Sequence, residues 1–292
     1  MSVAKTVAEA EFQLLESHTS ALIKSIVIPA RPETLTKLER EIGRDDPDYR
    51  QIARLVASDV TSTVAVLNTV NSPFFGLSRR CETIEQAIAM IGIKQLKVIV
   101  TGLMLKNLLR GDSQKLTRFW DVSSKRSYCM ARLARELRLV DVDVAQTFGL
   151  FCDVGIPLLM QRFADYGATL MTCNNEPALS FTEIEQSRHH TDHALVGALM
   201  ARSWGLSPVL CLAIRLHHDY SVFLDHKVPE AVTRLVAMSL IAELAIQRFA
   251  GLNASAEWDK GGDYAAGALV FSDGDVEEWV DRLQYDFANG IA

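Results

Sequence analysis

Helical periodicity runs through nearly the whole chain, and it restricts the fold more than any other feature of the sequence. Apolar residues recur about every 3.6 positions from residues 4–25 onward. Residues 230–250 form a long and mostly apolar segment that is typical of a core helix. No stretch alternates polar and apolar residues as a half-buried strand does, and no repeat of solenoid length is present. The sequence therefore predicts an all-α protein of about a dozen helices.

Residues that cap helices mark where several of these segments begin and end. Four candidate N-caps precede periodic segments: Asp48, Asp59, Asp192 and Ser207. Residues 83–86, TIEQ, have the pattern of a capping box, and Gly92 is expected to end the helix that this box opens. We expect a second capping box in the segment FTEIEQ, formed by Thr182 and Glu185.

The charge balance and the cysteines limit the class of protein. The net charge is −6 at pH 7, which argues against a nucleic-acid partner or an anionic membrane surface. Residues 1–20 lack the apolar core of a secretory signal, and apolar runs such as 98–105 look too short to span a bilayer. The five cysteines form no CxxC pair, so we expect reduced thiols. Together these features predict a cytoplasmic protein that contacts no membrane.

Two changes in composition divide the chain into predicted domains. A soft boundary lies at residues 110–114, RGDSQ, and a clearer one follows Gly251, where small and polar residues begin. We predict an N-terminal helical lobe over 1–110, a second helical lobe over 111–251 and a C-terminal appendage over 252–292.

An amphipathic helix is predicted near the end of the appendage, over about 275–288. Its apolar residues share one face of the helix: Val276, Trp279, Val280, Leu283 and Phe287. An isolated helix of this length is marginal in water, so this stripe must be buried somewhere. We expect it to pack on its own domain, and docking onto a partner is the alternative.

Seven separated motifs occur in an order that resembles a known family. They are IPARPETLTKLEREI, NTVNSPFFGL, TIEQAIAMIGIKQLKVIV, FW at 119–120, CDVGIPLLM, DHALVGALMARSWGLS and AIRLHH. Over roughly residues 20–250 the chain resembles the HDOD domain, an output domain related to the HD phosphohydrolases. The resemblance implies an all-α fold of two packed lobes and a bacterial signalling protein. It implies no settled activity, because function depends on the site rather than on the fold.

The resemblance also implies where a metal site would lie. HD phosphohydrolases hold a divalent metal with a histidine, a His-Asp doublet and a later aspartate, and the metal activates water. These positions read Val122, Cys152-Asp153 and Ser239 in this chain, so only Asp153 remains. We therefore expect no cofactor, with Asp153 serving as a helix cap or a buried hydrogen-bonded group. Cys152 is interpreted as a buried thiol, and a thiolate ligand or nucleophile is the alternative.

Four residues remain as candidates for a ligand-binding pocket: Asp153, His193, His217 and His218. Such a pocket would bind a divalent metal or an anion. Two considerations oppose this interpretation. A histidine at a helix C-terminus is stabilised by the macrodipole without any ligand. Adjacent histidines on a helix also point about 100° apart, so we expect at most one of His217 and His218 to face a given site.

Basic residues recur between positions 118 and 138: Arg118, Lys125, Arg126, Arg132, Arg135 and Arg138. We interpret them as a solvated helix face rather than a nucleic-acid stripe, because the protein is acidic. No Gly-rich phosphate loop and no G-x-S-x-G elbow is present, and the GYP element of the cyclic-dinucleotide phosphodiesterases is absent.

Two functions follow from these observations. The first is a signal-transduction output module that acts by binding a regulatory protein partner and has no catalytic residues. The alternative is a divergent metal-dependent phosphohydrolase or phosphodiesterase with a rebuilt site. The apparent loss of ligands at Val122, Cys152 and Ser239 favours the first, and the retained histidines keep the second open.

Overall fold

The computed structural model is all-helical. It describes residues 22, 24–58, 60–109, 113–252 and 256–290. Fourteen α-helices and two 3-10 helices are found in these residues, which contain no β-strand. The prediction of an all-α fold with about a dozen helices is therefore confirmed. The helix predicted over 4–25 lies almost entirely outside the described residues, and the cap predicted at Asp59 lies outside them as well.

One compact unit comprises Ala30–Arg110 together with Asp286–Ala292. It contains a short 3-10 helix, Pro73–Phe75, and four α-helices: α1 (Glu33–Ile42), α2 (Tyr49–Ala57), α3 (Val60–Val70) and α4 (Ile84–Leu108). Helices α1, α2 and α3 each pack against α4, which is the central helix of this unit.

The long helix α4 has an internal break where the sequence predicts one. Thr83 caps its first turn by accepting a hydrogen bond from the backbone N–H of Gln86. Gly92 has φ 79° and ψ 162°, a conformation that glycine adopts without steric cost and that interrupts the helix. Both features confirm the boundaries predicted from TIEQ and Gly92.

Two stretches are long and apolar enough to cross a membrane by length and composition alone, namely Ile84–Leu108 and Val142–Arg162. The expectation concerned unbroken apolar runs such as 98–105, which are shorter than either of these stretches. The first stretch is interrupted at Gly92, and the second comprises two helices, Val142–Phe151 and Gly155–Arg162. Part of the first stretch and most of the second are buried within the chain itself, as in the core helices of globular domains.

The other compact unit comprises Met1–Pro29 and Gly111–Tyr285. Its α-helices are α5 (Ser113–Leu137), α6 (Val142–Phe151), α7 (Gly155–Arg162), α8 (Tyr166–Asn175), α9 (Phe181–His189), α10 (His193–Ser203), α11 (Pro208–Leu216), α12 (Glu230–Phe249), α13 (Ala256–Leu269) and α14 (Asp273–Ala288). Helix α5 packs along α6 and α12, α10 packs against α7 and α11, and α12 packs against α13. A second 3-10 helix, Tyr220–Phe223, follows α11. This unit continues past Gly251, and the domain boundaries drawn from the sequence stay predictions.

Most predicted caps in the described residues are confirmed. The side chains of Asp48, Asp192 and Ser207 each accept a backbone N–H of the helix that follows. The capping box expected at Thr182 and Glu185 was wrong. The box is formed two residues earlier, by Ser180 and Glu183, because α9 begins at Phe181. This shift leaves Glu185 free to turn into the interior, where it is fully buried.

Helix α14 buries the apolar stripe that the sequence predicts. Val276, Trp279, Val280, Leu283 and Phe287 are all buried within the chain. Ion pairs connect its exposed side to neighbouring helices, through Glu277 with Arg248 of α12 and Arg282 with Glu136 of α5. The expectation that the stripe is buried by the chain itself is therefore confirmed.

Shortening Leu283 tests the contribution of this stripe to stability. Leu283→Ala removes a fully buried side chain and should lower the free energy of unfolding by about 2–5 kcal/mol. The matched control is Leu224→Ala, the same change at an exposed position, which should cost less than about 1 kcal/mol. Urea unfolding followed by circular dichroism measures both. Equal losses in the two variants would contradict the assigned burial.

Candidate metal centre

The starts of α7 and α10 touch because small residues lie at the contact. A Cβ atom added to Gly155 would lie only 2.1 Å from the carbonyl oxygen of His193. Gly197 lies one turn into α10. A Cβ atom added to Gly197 would lie 3.4 Å from the backbone nitrogen of Gly155. Any side chain at Gly155 would push the two helices apart. The glycine in CDVGIP therefore brings Asp153, two residues before it, into the neighbourhood of His193.

Four side chains converge beside this contact, namely Asp153, His193, His217 and His218. Their candidate ligand atoms all lie within 4.8 Å of one another. The expectation that only one of the adjacent histidines faces the site was wrong. Helix α11 ends at Leu216, so the helical angle no longer separates His217 from His218, and their ring centroids are 4.1 Å apart. The structure thus brings all four predicted residues together, while their binding of a ligand stays a prediction.

Three of the four ligand atoms have the spacing of ligands around one ion. Nε2 of His193 lies 3.1 Å from Nε2 of His217. Oδ1 of Asp153 lies 3.3 Å from Nε2 of His217 and 3.6 Å from Nε2 of His193. In a tetrahedral zinc site with bonds of about 2.0–2.1 Å, neighbouring ligand atoms are about 3.3 Å apart. The donor set therefore fits a transition metal without rearrangement of these side chains.

Each histidine is oriented by a hydrogen bond on its other ring nitrogen. Nδ1 of His193 lies 2.7 Å from Oε2 of Glu185, and Nδ1 of His217 lies 2.7 Å from the carbonyl oxygen of Ile214. Nδ1 of His218 lies 2.6 Å from Oε2 of Glu257. A carbonyl or carboxylate oxygen can only accept, so Nδ1 is the donor in each case. This outer set of acceptors is the one that orients metal-binding histidines in proteins.

Both glutamates are ionised acceptors. Burial raises the pKa of Glu185, but the charge and hydrogen bonds of His193 outweigh burial and lower it overall. Burial likewise opposes ionisation of Glu257, and His218, Tyr220 and Lys260 together hold its pKa well below the usual range.

Arg126 supplies a fixed positive charge beside the cluster. Its guanidinium donates from Nη1 to Oδ2 of Asp153, and Nη2 lies 3.4 Å from Oε2 of Glu243. Arg126 is only 5% exposed, so its interpretation as part of a solvated face was wrong, although Arg118 and Arg135 are exposed. Burial raises the pKa of Asp153, but Arg126, His217 and His193 together outweigh burial and keep this pKa well below its usual range.

The pKa values of His193 and His217 are shifted in opposite directions. Burial lowers the pKa of His193, but Glu185 and Asp153 outweigh burial and raise this pKa to about 9. Burial and the neighbouring His218 lower the pKa of His217 to about 3. One imidazolium and one neutral ring therefore face each other across the 3.1 Å between their Nε2 atoms. The surroundings thus stabilise a positive charge at the place where a metal would bind.

Of the positions that the family resemblance implies for a metal, Asp153 alone is part of the cluster. Cys152 is buried, and burial raises the pKa of its thiol well above the usual range. Ser239 donates its hydroxyl to the carbonyl oxygen of Val236. Asp153 does not cap a helix either, because α7 has Val154 at its N-cap and no side-chain cap. The expectation of no cofactor considered these positions alone, and the converging histidines provide a different donor set.

Sequence reasoning missed Arg126, Glu185, Glu243 and Glu257. One signal was available for Glu243, which stands in the apolar segment SLIAELAI, where a buried carboxylate requires a partner. Arg126 and Glu243 also lie one helical turn after Val122 and Ser239. Glu257 lies far along the chain in the predicted appendage, and nothing local connects it with His218.

The sequence profile of the HDOD domain matches residues 28–220. This match covers well over half of the chain, so the chain belongs to the HDOD domain family.

Two bacterial proteins are similar to this chain in sequence. The chain is 23% identical over 242 residues to an uncharacterised protein of Treponema pallidum (strain Nichols), with 80% of this chain and 46% of that protein covered. It is 29% identical over 80 residues to YuxH of Bacillus subtilis (strain 168), with 27% of this chain and 20% of that protein covered. The chain thus matches less than half the length of either relative.

Solved structures show the same fold. An HDOD domain protein from Geobacter sulfurreducens aligns with a TM-score of 0.69 and 20% identity, over 96% of each chain. A "Putative phosphohydrolase" from Shewanella amazonensis SB2B aligns with a TM-score of 0.67 and 19% identity, over 92% of this chain and 95% of that one. A "Putative signal transduction protein" from Marinobacter aquaeolei VT8 aligns with a TM-score of 0.68 and 17% identity, over 96% of this chain and 64% of that one.

Adding one methyl group at Gly155 tests the helix contact that forms the cluster. Gly155→Ala should destabilise the protein by about 3 kcal/mol or more, because its Cβ would overlap the backbone of His193. Gly267→Ala is the matched control, since nothing lies within 4 Å of its added Cβ in α13. This control should be neutral or stabilising by up to about 1 kcal/mol. Thermal unfolding compares the two, and a stable Gly155→Ala protein would refute the contact.

Removing the Asp153 carboxylate tests the buried ion pair. Asp153→Ala leaves the guanidinium of Arg126 with only Glu243 and should lower the free energy of unfolding by about 3 kcal/mol or more. The control, Asp121→Ala, removes an exposed partner of Lys125 on the same helix and should cost less than about 1 kcal/mol. Denaturant unfolding in the presence of a chelator measures both without any contribution from metal. Similar costs for the two variants would show that the pair is not buried as described.

Proposed function

We propose that this chain is a regulatory module of bacterial signal transduction that binds one divalent metal ion and acts through a protein partner rather than by hydrolysis. Membership of the HDOD family supports the regulatory part. The name of the Marinobacter relative, a "Putative signal transduction protein", points the same way. The metal part rests on the cluster of Asp153, His193, His217 and His218.

One observation carries the metal proposal. Nε2 of His193 and Nε2 of His217 lie beside Oδ1 of Asp153, and a ligand atom of His218 lies within 4.8 Å of these three. The Nδ1 atoms of the three histidines are held by Glu185, Ile214 and Glu257. Imidazole nitrogen together with one carboxylate oxygen suits zinc, and also iron or manganese. A metal bound here supplies Lewis acidity and a fixed positive charge.

The number of ligands that the protein itself offers supports a role without hydrolysis. With Asp153 and three histidines as ligands, a tetrahedral ion has no open position for water, as in structural zinc sites. A second ion has no room for ligation, because Arg126 occupies Oδ2 of Asp153 and approaches Glu243. Val122, Cys152 and Ser239 offer no free donor to replace them.

A metal-dependent phosphohydrolase is the second candidate, and one observation favours it. Asp153, His193 and His217 have ligand atoms within 3.1–3.6 Å of one another. An ion held by these three alone would keep an open position, as catalytic zinc sites do. The Shewanella relative named "Putative phosphohydrolase" is consistent with this reading.

Metal analysis of the purified chain tests the proposal. We expect about one equivalent of zinc, iron or manganese after dialysis against weak chelator, and loss of this metal in His217→Ala. The matched control is His226→Ala, an exposed histidine outside the cluster, which should retain the metal. Absence of metal from the unmodified chain, even after addition of zinc at a micromolar excess, would contradict the proposal.

Assays on the metal-loaded chain separate the two candidates. We expect no hydrolysis of bis(p-nitrophenyl) phosphate above that of the apo protein. Turnover that depends on the metal and disappears in His217→Ala would instead support the phosphohydrolase. The partner can then be sought by affinity capture from the native host, with the intact chain and the His217→Ala variant as matched baits.

A further inference from the structure

A residue of helix α13 hydrogen-bonds one of the cluster histidines, although α13 lies outside the residues that the HDOD profile matches. The profile ends at residue 220, and α13 spans Ala256–Leu269. Glu257, in its first turn, is 4% exposed and accepts the Nδ1 hydrogen of His218 at 2.6 Å. The chain therefore contributes an outer residue of the site from a segment beyond the shared domain.

Several contacts serve to keep Glu257 in this place. Oε2 of Glu257 also accepts the hydroxyl of Tyr220, and Oε1 accepts Nζ of Lys260 at 2.9 Å. The ring of Tyr220 lies on Gly261, where an added Cβ would come within 2.8 Å of the ring atoms. Nζ of Lys260 also donates to the carbonyl oxygen of Leu179 at 2.7 Å. Docking of α13, the orientation of Tyr220 and the position of the Glu257 carboxylate are thus linked.

Phe181 and Glu257 together fix the orientation of the His218 ring. Phe181 stacks against this ring, with the centroids 4.9 Å apart and the planes at 18°. Stacking fixes the plane of the imidazole, but a half-turn about the Cβ–Cγ bond keeps that plane and exchanges the two edges of the ring. The hydrogen bond from Nδ1 to Glu257 selects one of these two orientations and leaves Nε2, on the far side of the ring, as the nitrogen available to a metal in the cluster.

We propose that Glu257 is a positioning residue that couples metal binding at the cluster to the docking of α13. The inference rests on the metal site proposed above. A metal on Nε2 of His218 strengthens the Nδ1 hydrogen bond to Glu257, because coordination makes Nδ1–H a better donor. Coupling of this kind is reciprocal. If docking of α13 raises the metal affinity by some factor, bound metal raises the equilibrium constant for docking of α13 by the same factor. A protein that displaces α13 would accordingly release the metal more readily.

Hydrogen exchange on the full chain tests the coupling directly. In the unmodified protein, saturating zinc should slow amide exchange within 256–269 by about tenfold or more relative to chelator-treated protein. In Glu257→Gln, zinc affinity should fall by about tenfold or more, the usual effect of losing an outer partner, and the zinc-dependent protection of α13 should largely disappear. Glu278→Gln, the same change on the exposed side of α14, should alter neither quantity.

The cobalt(II) spectrum provides a readout that a merely structural role would not move. Cobalt in the unmodified chain should show the intense visible bands of four-coordinate sites, and Glu257→Gln should weaken them as His218 leaves the ion and water enters. Tyr220→Phe keeps the ring on Gly261 and removes only the hydroxyl, so it is the second variant should Glu257→Gln fail to fold. Tyr220→Phe should weaken zinc binding by about threefold or more.

The outcomes separate this inference from the function on which it rests. If the unmodified chain binds no metal, both fail. If it binds zinc but exchange in α13 is unchanged by zinc, or if Glu257→Gln and Tyr220→Phe bind zinc as tightly as the unmodified chain, the coupling is refuted and the metal site stands.

Discussion

The sharing of the Asp153 carboxylate, whose side chain is 14% exposed, is the interaction on which the rest of the site depends. Its Oδ2 accepts from Arg126, and its Oδ1 faces His193 and His217. A buried carboxylate would be costly without a partner, and Arg126 allows it to stay ionised. The ionised oxygen in turn stabilises positive charge among imidazoles whose burial disfavours it. The positive charge of Arg126 thus helps to keep Asp153 ionised, and Asp153 in turn stabilises a second positive charge on an imidazole or a metal.

The place of this carboxylate is determined by helix ends rather than by helix faces. Asp153 precedes α7, His193 opens α10, and His217 and His218 follow α11. Gly155 permits the close approach of the first two ends, because a side chain there would meet the backbone of His193. Side chains at helix ends can converge from several directions, which is why four residues from distant parts of the sequence meet within a few ångströms.

The sequence predicts local structure well, because that information lies within a few residues. The caps at Asp48, Asp192 and Ser207, the break at Gly92 and the apolar stripe of α14 all follow from local pattern. The box assigned to Thr182 and Glu185 failed because two overlapping patterns compete there, and the earlier one, from Ser180, forms.

The site could be predicted only in part. The motifs predict Asp153 and the histidines as candidates. The distances between these side chains depend on where α11 ends and on how closely Gly155 approaches His193. Arg126 could not be distinguished from its exposed basic neighbours without the packing of α5 on α6 and α12. Glu257 reaches His218 across 39 residues of sequence, through a contact that no local pattern encodes.

Anomalous X-ray diffraction at the zinc absorption edge, on crystals of the zinc-loaded chain, is the most direct test of the central claim. We expect one peak about 2.0–2.2 Å from Nε2 of His193, Nε2 of His217 and Oδ1 of Asp153, with Nε2 of His218 completing the tetrahedron. Arg126 should remain on Oδ2 of Asp153. A map without an anomalous peak in the cluster, with His193 and His217 still joined by their hydrogen bond, would contradict it.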